Sequence, residues 1–177
     1  MSSAGLAEKL KPSVLHVGCG GAALPLFLGD CHETRLDADE RGKPDIVANM
    51  TALGDIGQYD IVFCSHALEH LSPSDVMIAL AEFKRVLRPG GVAMVFVPDL
   101  EDIKPTFDVV YMTEGGDPIT GHDMYYGHTG LSKDNPFMRH LTGFLSTTLA
   151  GALTQAGFLR VKVDRLSGFN LFGVGFA

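Results

Sequence analysis

The residues best placed for chemistry begin at Gly18-Cys19-Gly20-Gly21, where the apolar run Val14-Leu15-His16-Val17 stops. Glycines directly after an apolar strand let the backbone turn sharply and approach a ligand. A helix starting after them would offer unpaired N–H groups to a phosphate or carboxylate. Asp37 follows Gly18 by nineteen residues. A carboxylate there can accept hydrogen bonds from ribose hydroxyls, close to the ~20-residue separation of dinucleotide folds. The pattern Gly18-x-Gly20-x-x-Ala23 plus the spaced acid points to an adenosine-bearing cofactor and leaves its kind open. Further along, Ser65-His66, Glu69-His70, Asp99 and the run Gly121 to His128 supply hydroxyl, imidazole, carboxylate and phenol groups. Imidazole and carboxylate suit zinc or iron. The spacing of His122, Asp123, His128 and His140 matches no metal pattern, so these are expected to pack a lid or surface, and no metal ligand is assigned.

The elements that must position these groups alternate in type. Val14 to Val17 reads as a buried strand, Ala22 to Leu28 as a short helix, Glu33 to Asp37 as a second strand and Asp45 to Asn49 as a third. Tyr59 to Ser65 is a continuous apolar run, as a parallel strand buried on both faces requires. Ser72, Pro73 and Asp75 then give a helix start, and Val76, Leu80, Phe83 and Leu87 recur on one face. Arg85 and Arg88 read as helix-end charges before Pro89-Gly90-Gly91. Val92 to Val97 is a fifth strand, and Ser146 is read as the cap of a helix closed by Gly157. Phe158 to Val163 and Asn170 to Phe176 form a last hairpin at the sheet edge. Strands alternating with helices imply a parallel sheet that binds ligands at the C-terminal ends of its strands. The glycine loop, Asp37, Asn49, Ser65-His66 and Asp99 all fall on that edge. From Leu100 to His140 periodicity fades, which predicts a lid or binding loop of about forty residues.

At 177 residues one domain is expected, with 46% hydrophobic and 20% charged residues. The net charge of −7 lacks a basic stripe, so a nucleic-acid partner is disfavoured. Cys19, Cys31 and Cys64 fit neither a zinc site nor a disulfide framework. A reducing, cytoplasmic setting is expected, with no leader peptide and no membrane association.

Four stretches together resemble the class I S-adenosylmethionine-dependent methyltransferases, in particular the type 11 group. They are Val14 to Gly20, Leu36-Asp37, Tyr59 to Leu71 with its "ALEHL" segment, and Arg85 to Gly91, "RVLRPGG". The resemblance implies a Rossmann-like three-layer α/β sandwich over residues 1–177, with a seven-stranded, mostly parallel sheet and an antiparallel C-terminal strand. It also implies a lid or substrate segment inserted at about 100–140. S-adenosylmethionine would be the cofactor and S-adenosylhomocysteine its product. Gly18, Cys19 and Gly20 would lie against its methionine part and Asp37 at the ribose hydroxyls, with His16, Ala38 and Thr51 also in the cofactor site. Asn49 and Met50 would flank adenine, although many relatives carry an acid at the place of Asn49. Ser65 and His66 would line the floor near the sulfonium. Ile119 to His128 and Met138 to Phe144 are similar to an insertion in a group of bacterial relatives, and no substrate comes with that likeness.

Methyl transfer from a sulfonium is an in-line displacement, so alignment and exclusion of water supply much of the acceleration. A base is needed only where the acceptor keeps its proton. His66, Asp99, Tyr125, Tyr126 and His128 are the candidates, with His70 and His122 behind them. The expected acceptor is a small molecule or glycan-type compound methylated on oxygen or nitrogen. One alternative is a nicotinamide-dependent oxidoreductase, for which the chain lacks a Gly-x-Gly-x-x-Gly turn and a Tyr-x-x-x-Lys pair. Another is a non-catalytic cofactor-binding protein of the same fold. The chain is short of helix before its first strand, so a second subunit, as in a homodimer, could close the pocket.

Overall fold

The computed structural model describes residues 11–113 and 115–177, with the backbone alone at 131, 132, 134 and 136. The expected lead-in before the first strand falls mostly outside the described residues. Seven strands form one sheet: β1 (Ser13–Val17), β2 (His32–Asp37), β3 (Ile46–Val47), β4 (Tyr59–Ser65), β5 (Leu87–Pro98), β8 (Leu159–Leu166) and β9 (Asn170–Phe176). Their order is β3-β2-β1-β4-β5-β9-β8. The first five run parallel, and β9 enters antiparallel between β5 and β8. The chain order reverses between β1 and β4, which makes their C-terminal ends the crevice where such sheets bind ligands.

Two helices cover one face of the sheet, α1 (Pro73–Arg85) and a helix over Ser146–Gln155. Ser72 caps α1 by accepting a hydrogen bond from the Asp75 N–H. Val76, Leu80 and Phe83 from α1 join Leu15, Val17, Val62, Cys64, Val95 and Val97 in one continuous core. Each fully buried side chain of this size contributes about 1.5–3 kcal/mol. Gly173 lets the second helix pack closely on the sheet: a Cβ there would press on Leu149 and Leu153 at 3.0 Å. On the opposite face, among the described residues, Phe63, Phe96 and Phe172 pack under Phe27.

Several expectations shift. The stretch Ala22 to Leu28 holds only a 3₁₀ turn at Leu26–Leu28. Pro25 has extended ψ and disfavours helical geometry in Leu24 before it, and Gly29 at φ 65° ends the turn. The third strand shrinks to two residues, with the Asp45 carboxylate instead accepting the Arg35 N–H. Arg88 lies on β5, not at the helix end, and pairs with Asp60. Ser146 is the first helical residue rather than the cap: its hydroxyl donates to Glu101, and Thr148 accepts the Leu145 N–H.

The largest correction concerns 100–140, which is not structureless. It holds a ribbon of β6 (Val109–Met112) and β7 (Pro118–Thr120), then α2 (Gly121–Tyr126) and α3 (Thr129–Asp134). The helix Ser146–Gln155 is therefore α4. This segment has its own small core of Leu100, Ile103 and Met124.

Candidate functional site

The C-terminal edge of β1 is held against β2 by backbone and side-chain bonds. Gly18 and Cys19 both donate to the Leu36 carbonyl, and Gly20 N–H donates to Asp37 Oδ2 at 2.7 Å. Asp37 Oδ1 accepts the Asp39 N–H at 2.8 Å. Arg35, which no sequence signal singled out, donates to the carbonyls of Gly20 and Ala22 and fixes the outer side of the loop. Gly18 stands at φ 66°, and a Cβ on it would come within 2.4 Å of the Ala67 side chain. The Met50 methyl reaches the same point at 3.6 Å. Gly18, Gly20, Asp37 and Met50 are thus brought together as expected. Asn49 bonds locally to the Thr51 N–H and hydroxyl, and Ala38 is exposed.

A cavity of 330 Å³ on one side of the loop is lined by His16, Gly18, Pro25, Phe27, Ser65 and His66, among others. The His16 ring is 2% exposed, bonds Glu33 through Nδ1 at 2.8 Å and sits edge-on to Phe63. Burial lowers its pKa, outweighing the Glu33 contact. Cys19 and Cys64 are buried thiols whose pKa burial raises, which makes them inert small side chains.

A second cavity of 170 Å³ lies between the sheet edge and the inserted segment. Its walls include His66, Glu69, His70, Asp123, His128 and His140. His66 lines both cavities. It is a non-glycine residue at φ 50°, a conformation that costs of order 1–3 kcal/mol, and its N–H is held by the Phe96 carbonyl at 2.9 Å. Its Nδ1 lies 3.4 Å from Glu69 Oε1. Burial alone would lower the His66 pKa, but the Glu69 bond and charge, with the Asn170 side chain, hold it above its ordinary value.

The other base candidates are separated. Asp99 is 3% exposed, with Oδ2 bonded to Arg165 at 2.5 Å and Oδ1 accepting the Glu101 N–H, a structural pairing. Tyr125 donates its phenol proton to the Ile103 carbonyl. Tyr126 is exposed and packs on His122, which in turn stacks on Phe107. His128 lines the second cavity. Asp123 caps α2: one oxygen accepts from Thr120 and the other from Thr129. These bonds outweigh burial and bring its carboxyl down to about 2. The quartet His122, Asp123, His128 and His140 is therefore not gathered as one ligand set. His140 meets His70 and Glu69 instead, a grouping across the fold that linear spacing could not reveal.

Residues 15–95 match the model of a methyltransferase domain family. A probable methyltransferase, ltbC of Aspergillus luteorubrus, is 51% identical over 35 residues, 19% of this chain and 12% of that protein. The apo structure of the S-adenosylmethionine-dependent methyltransferase SibL aligns over 96% of this chain and 51% of its own, with a TM-score of 0.63 and 18% identity. The 1,6-didemethyltoxoflavin-N1-methyltransferase of Burkholderia thailandensis, solved with that compound and S-adenosylhomocysteine, aligns over 98% of this chain and 73% of its own, TM-score 0.59, identity 18%. The chain thus spans about half the length of SibL and a small part of ltbC. No helix among the described residues is long and apolar enough to cross a membrane. The matched segment is a methyltransferase-domain model over 15–95, and the strand order is the Rossmann-like fold of the S-adenosylmethionine-dependent methyltransferase structures with which the chain aligns.

Proposed function

We propose that the protein transfers a methyl group from S-adenosylmethionine to a small-molecule acceptor held under the 100–140 segment. The observation that carries this reading is the position of His66, at the left-handed end of β4, where the cavity beside the glycine loop meets the cavity under the insertion. The residues present fit the cofactor. Gly18 leaves a hollow that a Cβ would fill, and Asp37 keeps lone pairs beyond its two backbone bonds for ribose hydroxyls. Ser65 and His16 line the cavity where the methionine part would lie, and Met50 approaches Gly18 from the side proposed for adenosine.

When bound, the cofactor supplies an electrophilic methyl on its sulfonium. The chain supplies alignment: Arg35 and Asp37 fix the loop, and His66 stands at the point of transfer. The insertion excludes water, with Met124, Tyr111 and Ile119 forming the apolar side of the acceptor cavity. Where the acceptor keeps its proton, His66, His70 and His128 are the candidate bases that line that cavity. The acceptor class rests on the cavity's 170 Å³, which suits a compact compound better than a polymer. A glycan-type acceptor and a homodimer are weaker versions of the same reading, since no feature of the cavity selects a sugar or a partner surface.

The test is release of S-adenosylhomocysteine on incubation with S-adenosylmethionine and a panel of hydroxyl- and amine-bearing small compounds. We expect turnover with at least one of them, and His66→Ala to lower kcat by about 10²-fold or more while leaving cofactor affinity within a few-fold. Cofactor binding without release for any acceptor would support the non-catalytic alternative.

A further inference from the structure

We propose that Glu69, His70 and His140 form a site for a first-row divalent transition-metal ion, opening into the cavity under the insertion. One ligand atom of each lies within 4.8 Å of the others. Small side-chain rotations would close such a set onto a shell of about 2.0–2.2 Å radius. The three come from two parts of the fold. Glu69 and His70 stand on the turn after β4, and His140 comes from the end of the inserted segment. That turn is joined to the insertion by the backbone itself, because Leu141 and Thr142 both donate to the Glu69 carbonyl.

Two independent observations point to a ligand. Glu69 is 2% exposed, and its Oε2 has no hydrogen-bond partner among the described residues. Leaving a buried carboxylate oxygen unpaired is costly, and a cation removes that cost. Both histidines are also oriented as metal ligands commonly are. His70 Nδ1 lies 3.0 Å from the Arg139 carbonyl and His140 Nδ1 lies 2.9 Å from the Met124 carbonyl. A carbonyl can only accept, so each Nδ1 carries a proton, which leaves Nε2 of the neutral ring as the nitrogen with a lone pair for a metal. A backbone carbonyl behind the ring is a standard way to fix that tautomer.

Two imidazoles and one carboxylate suit zinc, iron(II) or cobalt(II) rather than magnesium or calcium, which take oxygen ligands. Three protein ligands leave a position open, the arrangement of a reactive rather than a structural site. Glu69, His70 and His140 all line the cavity proposed for the acceptor. An oxygen-bearing acceptor is therefore the ligand that the open position would take. That last step rests on the methyl-transfer reading, whereas metal binding itself does not.

The experiment uses the full, tag-free chain stripped with chelator and titrated with zinc chloride, with cobalt(II) chloride followed by visible absorption, and with magnesium chloride as the control. No cofactor or acceptor is present, so failure of the transfer reading leaves the result unaffected. We expect one equivalent of zinc, a cobalt spectrum of low coordination number, and no comparable magnesium binding. Glu69→Gln and His140→Ala should each weaken zinc binding tenfold or more. Circular dichroism checks the fold, and if His140→Ala disturbs the insertion, the near-isosteric Glu69→Gln gives the same readout. Zinc binding no tighter than magnesium, or undiminished in Glu69→Gln, would overturn the site.

Discussion

The sheet with its two helices and the segment over 100–144 are stabilised in different ways. The first rests on a continuous core in which Leu15, Val62, Leu80, Phe83, Val95 and Leu153 are fully buried. Among its described residues the second has a separate cluster of only three buried apolar side chains, Leu100, Ile103 and Met124, with Phe144 joining the sheet core at its end, and it is held mainly by polar caps and close backbone approaches. Hydrophobic burial couples everything that shares a core, whereas caps and turns hold local structure. The glycine loop is thus carried on the rigid part. The wall of the cavity proposed for the acceptor is carried on the part with the smaller core, which is expected to open at lower free energy than the sheet.

The largest effect is expected in the core of the sheet. Leu80→Ala should lower global stability by about 2–5 kcal/mol, and chemical denaturation should show sheet and insertion lost in one transition. An insertion that stayed folded after the sheet was lost would contradict its dependence on the sheet core. Gly121→Ala acts on the insertion alone. Its Cβ would sit 2.0 Å from the Lys104 carbonyl oxygen. The local loss should be near the upper end of the ~1–3 kcal/mol typical of overpacking, with hydrogen exchange rising across 100–140 and little change in β1 and β4.

Acid should separate the two regions more gently. Asp123 has its carboxyl lowered to about 2 from an ordinary 3.8, because the Thr120 and Thr129 bonds outweigh burial. A depressed carboxyl stabilises fully above its unfolded value and loses that contribution as pH falls through its folded one. About 2 kcal/mol should therefore disappear from the insertion between roughly pH 5 and pH 2. Hydrogen exchange against pH would show it, and Asp123→Asn should flatten the dependence. The smallest effect belongs to the surface of the rigid half. Arg85→Ala removes a half-exposed pair with Glu82 and a bond to the Gly54 carbonyl. A loss within about 1 kcal/mol in denaturant is expected, with no change in ligand binding.

The same division explains what could be read beforehand. The strand Tyr59–Ser65 and the helix start Ser72-Pro73 were legible because buried periodicity and capping are local signals. The glycine loop and Asp37 were legible because a tight turn and a spaced acid are local too. Pro25 marked a helix break that the alanines around it concealed. Across 100–140, glycine, proline and mixed aromatics leave no period, yet the sequence Thr120-x-x-Asp123 is itself a capping signal that could have placed α2. Arg35 clamps the loop through carbonyls, and backbone acceptors carry no sequence signature. The meeting of Glu69, His70 and His140 depends on how a segment seventy residues later folds back, which spacing along the chain does not encode.

The glycine loop and Asp37 are the proposed cofactor site. Isothermal titration of the protein with S-adenosylhomocysteine, S-adenosylmethionine and NADH, at one salt and pH, tests this most directly. Micromolar binding of both sulfur compounds, lost in Asp37→Ala and absent for NADH, is the result expected. Binding of NADH alone, or sulfur-compound binding undiminished in Asp37→Ala, would contradict it.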